Sequence, residues 1–194
     1  MKIESFTAGH LDQAGEIALK LWGSEIPGMP SEIRRIIYDY LPCYYFDETS
    51  PFNLAAMENG KLQGLLLASA DFPEPAGANM QLQKRIPAEY AFYGQTYQAY
   101  LDGNRRLEEQ FKTAQDIQLL FFASIRPGCG KLLMQEFICR GRQCGFEKML
   151  LWTDNTCNFQ YYFDHDFELL HRTPADPGIT GMNLETMLFR RNLS

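Results

Sequence analysis

The chain of 194 residues contains no run of about 18 apolar residues, so no membrane-crossing helix is expected. Its start, MKIESFTAGH, lacks the apolar core of a secretory signal, and a soluble, cytoplasmic protein is the expectation. No block of Lys and Arg appears in a sequence of net charge −6, and the tail Phe189-Arg190-Arg191-Asn192 is basic only locally. Nucleic acid and membrane surfaces are therefore not expected as partners. The five cysteines (Cys43, Cys129, Cys139, Cys144, Cys157) are odd in number and lack paired zinc spacing, which leaves reduced thiols as the expectation. Histidine is scarce, at His10, His165 and His171, and Asp164-His165-Asp166 lacks the helical spacing of a metal pair, so no metal is expected. Internal repeats and low-complexity runs are absent too.

What is present fits one domain spanning 1–194, since 45% hydrophobic and 13% aromatic content can build one substantial core. Residues 2–6 read as a strand. Thr7 is placed to cap a helix through Trp22, whose Leu11, Ala14, Ile17, Ala18 and Leu21 recur on one face. Pro27, Gly28 and Pro30 break the chain before Ser31 caps a second helix through Leu41. Segments 52–58 and 61–69 flank Asn59-Gly60, a strong hairpin signal. Residues 72–115 begin as a loop by composition and continue into two helical stretches, from about Pro87 to Leu101 and from Asn104 to Lys112. Tyr90, Tyr93, Tyr97 and Tyr100 then fall on one helix face, either packing on the domain or a second subunit, or covering one end of a binding cleft. Segments 167–171 and 184–191 read as closing antiparallel strands, joined by a Pro/Gly-rich loop from Pro174 to Gly181.

The stretch from Gln118 to Glu168 carries the chemistry. A strand, 117–125, breaks into Arg126-Pro127-Gly128-Cys129-Gly130 and opens near Lys131 into an amphipathic helix, followed by a parallel strand over 146–153. Gly128 and Gly130 allow close approach of backbone to an anion, and the helix start supplies unpaired amides and a positive dipole end. Two nucleotide-binding motifs are excluded. The Walker loop needs four residues between its glycines and Lys followed by Ser or Thr, whereas one residue separates Gly128 from Gly130 and Leu132 follows Lys131. The dinucleotide fingerprint needs a third glycine where Leu133 stands. Cys129 sits where a helix start lowers a thiol pKa, but a small filler residue is the expected role.

Asn155, Asn158, Tyr161-Tyr162 and Asp166-Phe167-Glu168 resemble the pattern Asn-x-x-Ala-x-x-Phe-Tyr-x-x-x-Gly-Phe-Glu of the GCN5-related N-acetyltransferases (GNAT). The Gly128/Gly130 turn resembles that family's acetyl-CoA motif, Arg/Gln-x-x-Gly-x-Gly/Ala. The resemblance implies an α/β fold with a mixed, mostly antiparallel sheet, helices on both faces and a helical insertion, here about 72–115, between the third and fourth strands. It also implies transfer of an acetyl group from acetyl-CoA to an amine, with a small metabolite expected as acceptor. A non-catalytic acyl-CoA sensor and a protein N-acetyltransferase are the alternatives.

By the same resemblance, Ala123, Ser124 and Ile125 meet the pantetheine arm, and the 126–131 turn, with Arg126 and Lys131 as cations, meets the pyrophosphate alongside Gly128, Cys129 and Gly130. Asn155 and Asn158 belong to the same cofactor site. The turn is several residues shorter than is usual in the family, and the motif's Arg/Gln position falls on Ile125. Tyr162 takes the place of the tyrosine that protonates the CoA thiolate, a role suited to a phenol of pKa about 10. The family's strand glutamate falls on Gln118, which cannot accept a proton. Asp116, two residues earlier, is then the candidate base, against a solvated role at the strand start; Glu168 is expected to be structural.

Overall fold

The computed structural model of the protein describes residues 1–23, 28–72, 82, 84–175 and 184–194. The chain opens with strand β1 (Lys2–Ser5) and helices α1 (Leu11–Trp22) and α2 (Ser31–Tyr45), then forms the hairpin of β2 (Leu54–Glu58) and β3 (Lys61–Ser69). Asn59 and Gly60 both take positive φ, 50° and 73°, the turn geometry that matches the twist of two adjoining antiparallel strands. Helix α3 (Ala91–Phe111) follows, then β4 (Asp116–Ser124), α4 (Cys129–Gln143), β5 (Lys148–Asp154), the single turn α5 (Gln160–Phe163), β6 (Glu168–Ala175) and β7 (Leu184–Asn192).

Among the described residues, seven strands form one sheet in the order β1-β2-β3-β4-β5-β7-β6, antiparallel everywhere except at β4–β5. That parallel pair holds over only Asp116–Lys148, Ile117–Met149 and Gln118–Leu150. Beyond it β4 runs on to Ser124 and β5 to Asp154 without pairing, so the two strands part toward their C-terminal ends. One sheet face carries Leu65, Leu67, Phe121 and Ala123 under Ala14, Ile17, Ile33, Ile37 and Leu101 of α1, α2 and α3. The other carries Leu66, Ile117, Met149, Leu151 and Phe189 under Leu133, Met134 and Phe137 of α4. A bulge interrupts the alternation: Leu67 faces Phe121 and Ala68 faces Leu119, leaving Leu120 as the extra residue. Leu120 and Phe121 therefore both join the α1/α2 face.

Several boundaries differ from the sequence expectation. Helix α2 continues past Leu41 and Pro42 to Tyr45 because Tyr44 and Tyr45 are each only 3% exposed, and that burial offsets the amide the proline lacks. Pro30, not Ser31, occupies the cap position, its carbonyl accepting from the Arg34 amide at 3.0 Å. The two helical stretches of the insertion are one helix, which runs through Gly103 because Leu101, Asn104 and Glu108 keep a continuous buried face across it. Strand β6, expected to end at 171, runs on to Ala175 because Pro174 and Ala175 pair with Glu185 and Leu184 of β7; the rest of the loop expected over 174–181 lies outside the described residues.

Helix α3 joins the layers by polar contacts. Tyr40 and Tyr44 of α2 donate to Gln98 (2.5 Å) and Asp102 (2.8 Å), and on the other side Thr186 of β7 donates to Asn104 at 2.9 Å. Glu108, on the same face, is 0% exposed and neither carboxyl oxygen has a hydrogen-bond partner among the described residues. Burial, then the neighbouring Glu109, pushes its pKa well above the ordinary carboxylate range. Such a group leaves stability untouched below the unfolded-state pKa and subtracts from it as pH rises from there through the folded-state value. Glu108→Gln is accordingly expected to raise the thermal midpoint at pH 8 and leave it unchanged at pH 4; the reverse order in thermal melts would refute the buried neutral carboxyl.

Candidate active site

The parting of β4 and β5 opens a cleft of about 1170 Å³. Its walls come from β4 (Leu119–Ser124), the turn after it, α4, β5 (Leu151–Asp154), α5 and the aromatic side of α3. One end is the turn into α4. Gly128 caps that helix with φ 81°, a left-handed conformation that suits glycine, and a Cβ there would meet no protein atom within 4 Å. At Gly130 a Cβ would press on the Phe122 ring at 3.1 Å and Ser124 Oγ at 3.3 Å. Gly128 thus borders open space at the start of α4, where a helix N-terminus can receive an anion, although the Cys129 amide is taken by the Arg126 carbonyl at 3.2 Å. Lys131 is exposed beside it. Arg126, also expected as a phosphate cation, lines the cleft but forms an ion pair with Glu58 at the β2–β3 hairpin.

The strand residues Ala123, Ser124 and Ile125 all line the cleft. Ser124 pairs with Gly64 of β3, and Ile125 donates its amide to Gln63 at 2.9 Å, so their bonds run to β3 and the β5 side of β4 is left open. Helix α4 starts at Cys129, two residues before Lys131. The Cys129 side chain is not at the cleft: it is fully buried on the α4 face, and burial pushes its thiol pKa up against the opposing pull of Arg126. The filler reading fits that environment, and its side chain is withdrawn from the cofactor set.

Tyr162 stands at the other wall, half-buried against Phe167 (ring centroids 5.1 Å) and Phe189 (5.3 Å). Burial, then Cys157 and Tyr161, raises its pKa well beyond the usual phenol value, so it is protonated at neutral pH and able to donate. Asp166 takes φ 61° where the resembling pattern has glycine, which accounts for a polar, turn-tolerant residue at that corner. Asn158 lines the cleft. Asn155 does not belong to the cofactor set by side chain, because its carboxamide oxygen accepts the Glu185 amide at 3.0 Å and ties the end of β5 to β7.

The two β4 candidates for the base are both removed by position. Asp116 begins β4, at the end where the strands are still paired, with its side chain fully enclosed. Its oxygens take Arg190 at 3.0 and 2.9 Å and the Thr113 amide and hydroxyl at 2.8 and 2.7 Å. Gln118 is 0% exposed at the last parallel pair, its amide making no hydrogen bond among the described residues. The carboxylate that does line the cleft among the described residues is Asp154, the last residue of β5. The sequence signal that could have found it is its place directly before Asn155. Of the tyrosine stripe, all four members pack on the α1/α2 core, and Tyr97 and Tyr100 also line the cleft, so packing and covering coincide. Among the described residues no group of three or more His, Cys, Asp or Glu is arranged to hold a metal, and no helix is long and apolar enough to cross a membrane.

No protein-family model matches the sequence, and no curated protein matches it either. Solved structures do. A ribosomal-protein-alanine N-acetyltransferase from Brucella melitensis superposes with TM-score 0.55 at 13% identity, over 99% of each chain. An aminoglycoside 6'-acetyltransferase type Ii matches with TM-score 0.52 at 12% identity, over 100% of this chain and 98% of that one. A Desulfovibrio desulfuricans protein assigned to the GNAT family matches with TM-score 0.54 at 12% identity, over 100% and 99%. Identities this low speak to architecture, and the mixed sheet split at its parallel pair, with helices on both faces, agrees with them: the chain has the fold of the GCN5-related N-acetyltransferases.

Proposed function

We propose that the protein is an acetyl-CoA-dependent N-acyltransferase acting on the amine of a small acceptor. The observation that carries this reading is a cleft running between the unpaired ends of β4 and β5 with an open glycine-capped helix start at one wall and a protonated, half-buried phenol at the other. Acetyl-CoA, as the donor, supplies the thioester. The α4 start and Lys131 bind its phosphates, the free edge of β4 from Ala123 to Ile125 orients the pantetheine amides, and Tyr162 returns a proton to the departing sulfur. Helix α3 covers the other side of the cleft with Tyr97 and Tyr100, which favours a small acceptor over a protein terminus lying in an open groove.

Lys131→Glu tests the donor half cleanly, because the side chain is exposed, whereas a β-branched residue at Gly128 would strain the turn with or without ligand. Isothermal titration is expected to show acetyl-CoA binding weakened about tenfold or more, the range of one charged hydrogen bond. Unaltered affinity in a folded variant would remove the turn from the cofactor site. A second reading, a sensor that binds acyl-CoA without transfer, is favoured by the engagement of Arg126 with Glu58 and by glutamine at position 118. Mass spectrometry of an amine library incubated with acetyl-CoA separates the two: acetylated product supports the transferase, binding without product the sensor.

A further inference from the structure

We infer that Asp154 holds the ammonium group of the acceptor and takes its first proton, with Tyr100 of α3 as the positioning residue; the inference rests on the acyltransferase reading. Asp154 is 9% exposed and, among the described residues, is the carboxylate that lines the cleft. It lies four residues beyond Leu150, the last β5 residue paired with β4, where the strands have separated. Oδ2 accepts the Tyr100 hydroxyl at 2.8 Å, and Oδ1 accepts the Thr156 amide at 2.9 Å and the Thr156 hydroxyl. One lone pair on Oδ2 is left for an incoming N–H.

The surroundings select a cation. Tyr100 stands edge-on to Trp152 at 5.5 Å and beside Tyr97 at 6.5 Å, and all three line the cleft, so the carboxylate stands among aromatic rings. An ammonium on an apolar body satisfies both the charge and the rings. Tyr100 of α3 is the titratable group bonded to Asp154, and Tyr97 of α3 and Cys157 of the turn after β5 act electrostatically on that same Tyr100 hydroxyl. On β7, Glu185 is paired with Arg172 and Arg190 with Asp116, so neither offers Asp154 a competing partner. Of the cleft cations, Arg126 and Lys131 belong to the α4 turn, Arg191 stacks over Phe167 at 5.4 Å, and Lys20 lies on α1.

The two sides of the sheet also separate the reactants. Trp152 and Tyr100 pack with the α1/α2 core, whereas Tyr162 packs with the α4 core. The acceptor therefore meets Asp154 from one face while Tyr162 stands on the other, and the gap between β4 and β5 is where the two meet. In proton terms, the acceptor nitrogen loses two. One passes to Asp154 and on to solvent as the amine becomes nucleophilic; nitrogen then bonds to the acetyl carbon as that carbon's bond to sulfur breaks. The second proton is released from the new amide nitrogen, and Tyr162 supplies one to the thiolate, recovering it from solvent.

The test uses the full-length protein saturated with CoA or acetyl-CoA, with phenethylamine and its uncharged counterpart phenethyl alcohol as probes. Titration calorimetry is expected to show the amine bound about tenfold or more tightly than the alcohol, a preference that Asp154→Asn abolishes while CoA affinity is retained. With acetyl-CoA, Asp154→Asn is expected to lower kcat/KM for the amine about 10²-fold at pH 7 and to recover part of it as pH approaches the amine's own pKa. Tyr100→Phe removes a donor to the carboxylate, so the acid limb of the pH profile is expected to move to higher pH, which a merely structural tyrosine would not cause. Failure of both probes to bind, equal affinity for the two, or an Asp154→Asn enzyme of wild-type kcat/KM and pH profile would overturn the inference. A retained ammonium preference with no acetylated product would instead count against the transferase reading and support the site.

Discussion

Tyr162→Phe is expected to reduce kcat by roughly 10²-fold or more while acetyl-CoA affinity stays within about twofold. The asymmetry follows from where the hydroxyl acts. Its ring fills a place against Phe167 and Phe189, and phenylalanine keeps that packing, so binding and folding are preserved. On the proposed mechanism, what disappears is a proton donor needed only as sulfur acquires charge. Burial makes that loss hard to replace, since a half-buried site admits solvent poorly and Tyr161 has its ring stacked on His165 at 4.0 Å. Steady-state kinetics with thiol detection, alongside calorimetry of the variant, measures both quantities. Full kcat in Tyr162→Phe would return the residue to packing alone.

The second large effect is on stability. Asp116 and Arg190 form an ion pair whose carboxylate has no exposed side-chain surface, and Arg190 also donates to the Phe111 carbonyl at 2.6 Å. Arg190→Ala would leave a buried charge without its partner and a helix-end carbonyl without its donor, at a cost of about 3–5 kcal/mol. Urea denaturation is expected to show a midpoint shift of that size with little change in slope. Asp116→Asn keeps shape and hydrogen-bonding capacity, so it should cost less, and the protein that remains folded should keep its acceptor pH profile. A loss of the acid limb in folded Asp116→Asn would restore Asp116 to the role of base.

Legibility in the sequence followed the range over which each signal acts. The Asn59-Gly60 hairpin and the strand–turn–helix at Gly128 were readable because each depends on a few adjacent residues. The face of β4 was not, because alternation is a safe guide only in an unbulged strand, and the extra residue at Leu120 changes the phase between Gln118 and Ser124. Counting two residues back from Gln118 reached Asp116 correctly in face but at the wrong end of the strand, where the parallel pair is still closed. Asp154, and its pairing with Tyr100, was missed for another reason. The two are 54 positions apart, and what joins them is the docking of α3 across the sheet, which no local pattern encodes. The gap expected between Leu101 and Asn104 is absent for the same long-range reason, since burial of the face through Leu101, Asn104 and Glu108 carries the helix across it.

The three-pair contact between β4 and β5 divides the sheet into two leaves, β1–β4 and β5–β7–β6, that share little hydrogen bonding. Helix α3, inserted between β3 and β4, spans the two leaves, with Gln98 and Asp102 bonded to α2 and Asn104 and Phe111 bonded to β7. It therefore works as a brace across a joint. A protein built this way can vary the size of the molecule it accepts by changing the length or tilt of one helix, without altering either leaf or the turn proposed to hold the donor. It can also transmit strain from one substrate to the other through that helix, because anything that pries the leaves apart must stretch bonds at both of its ends.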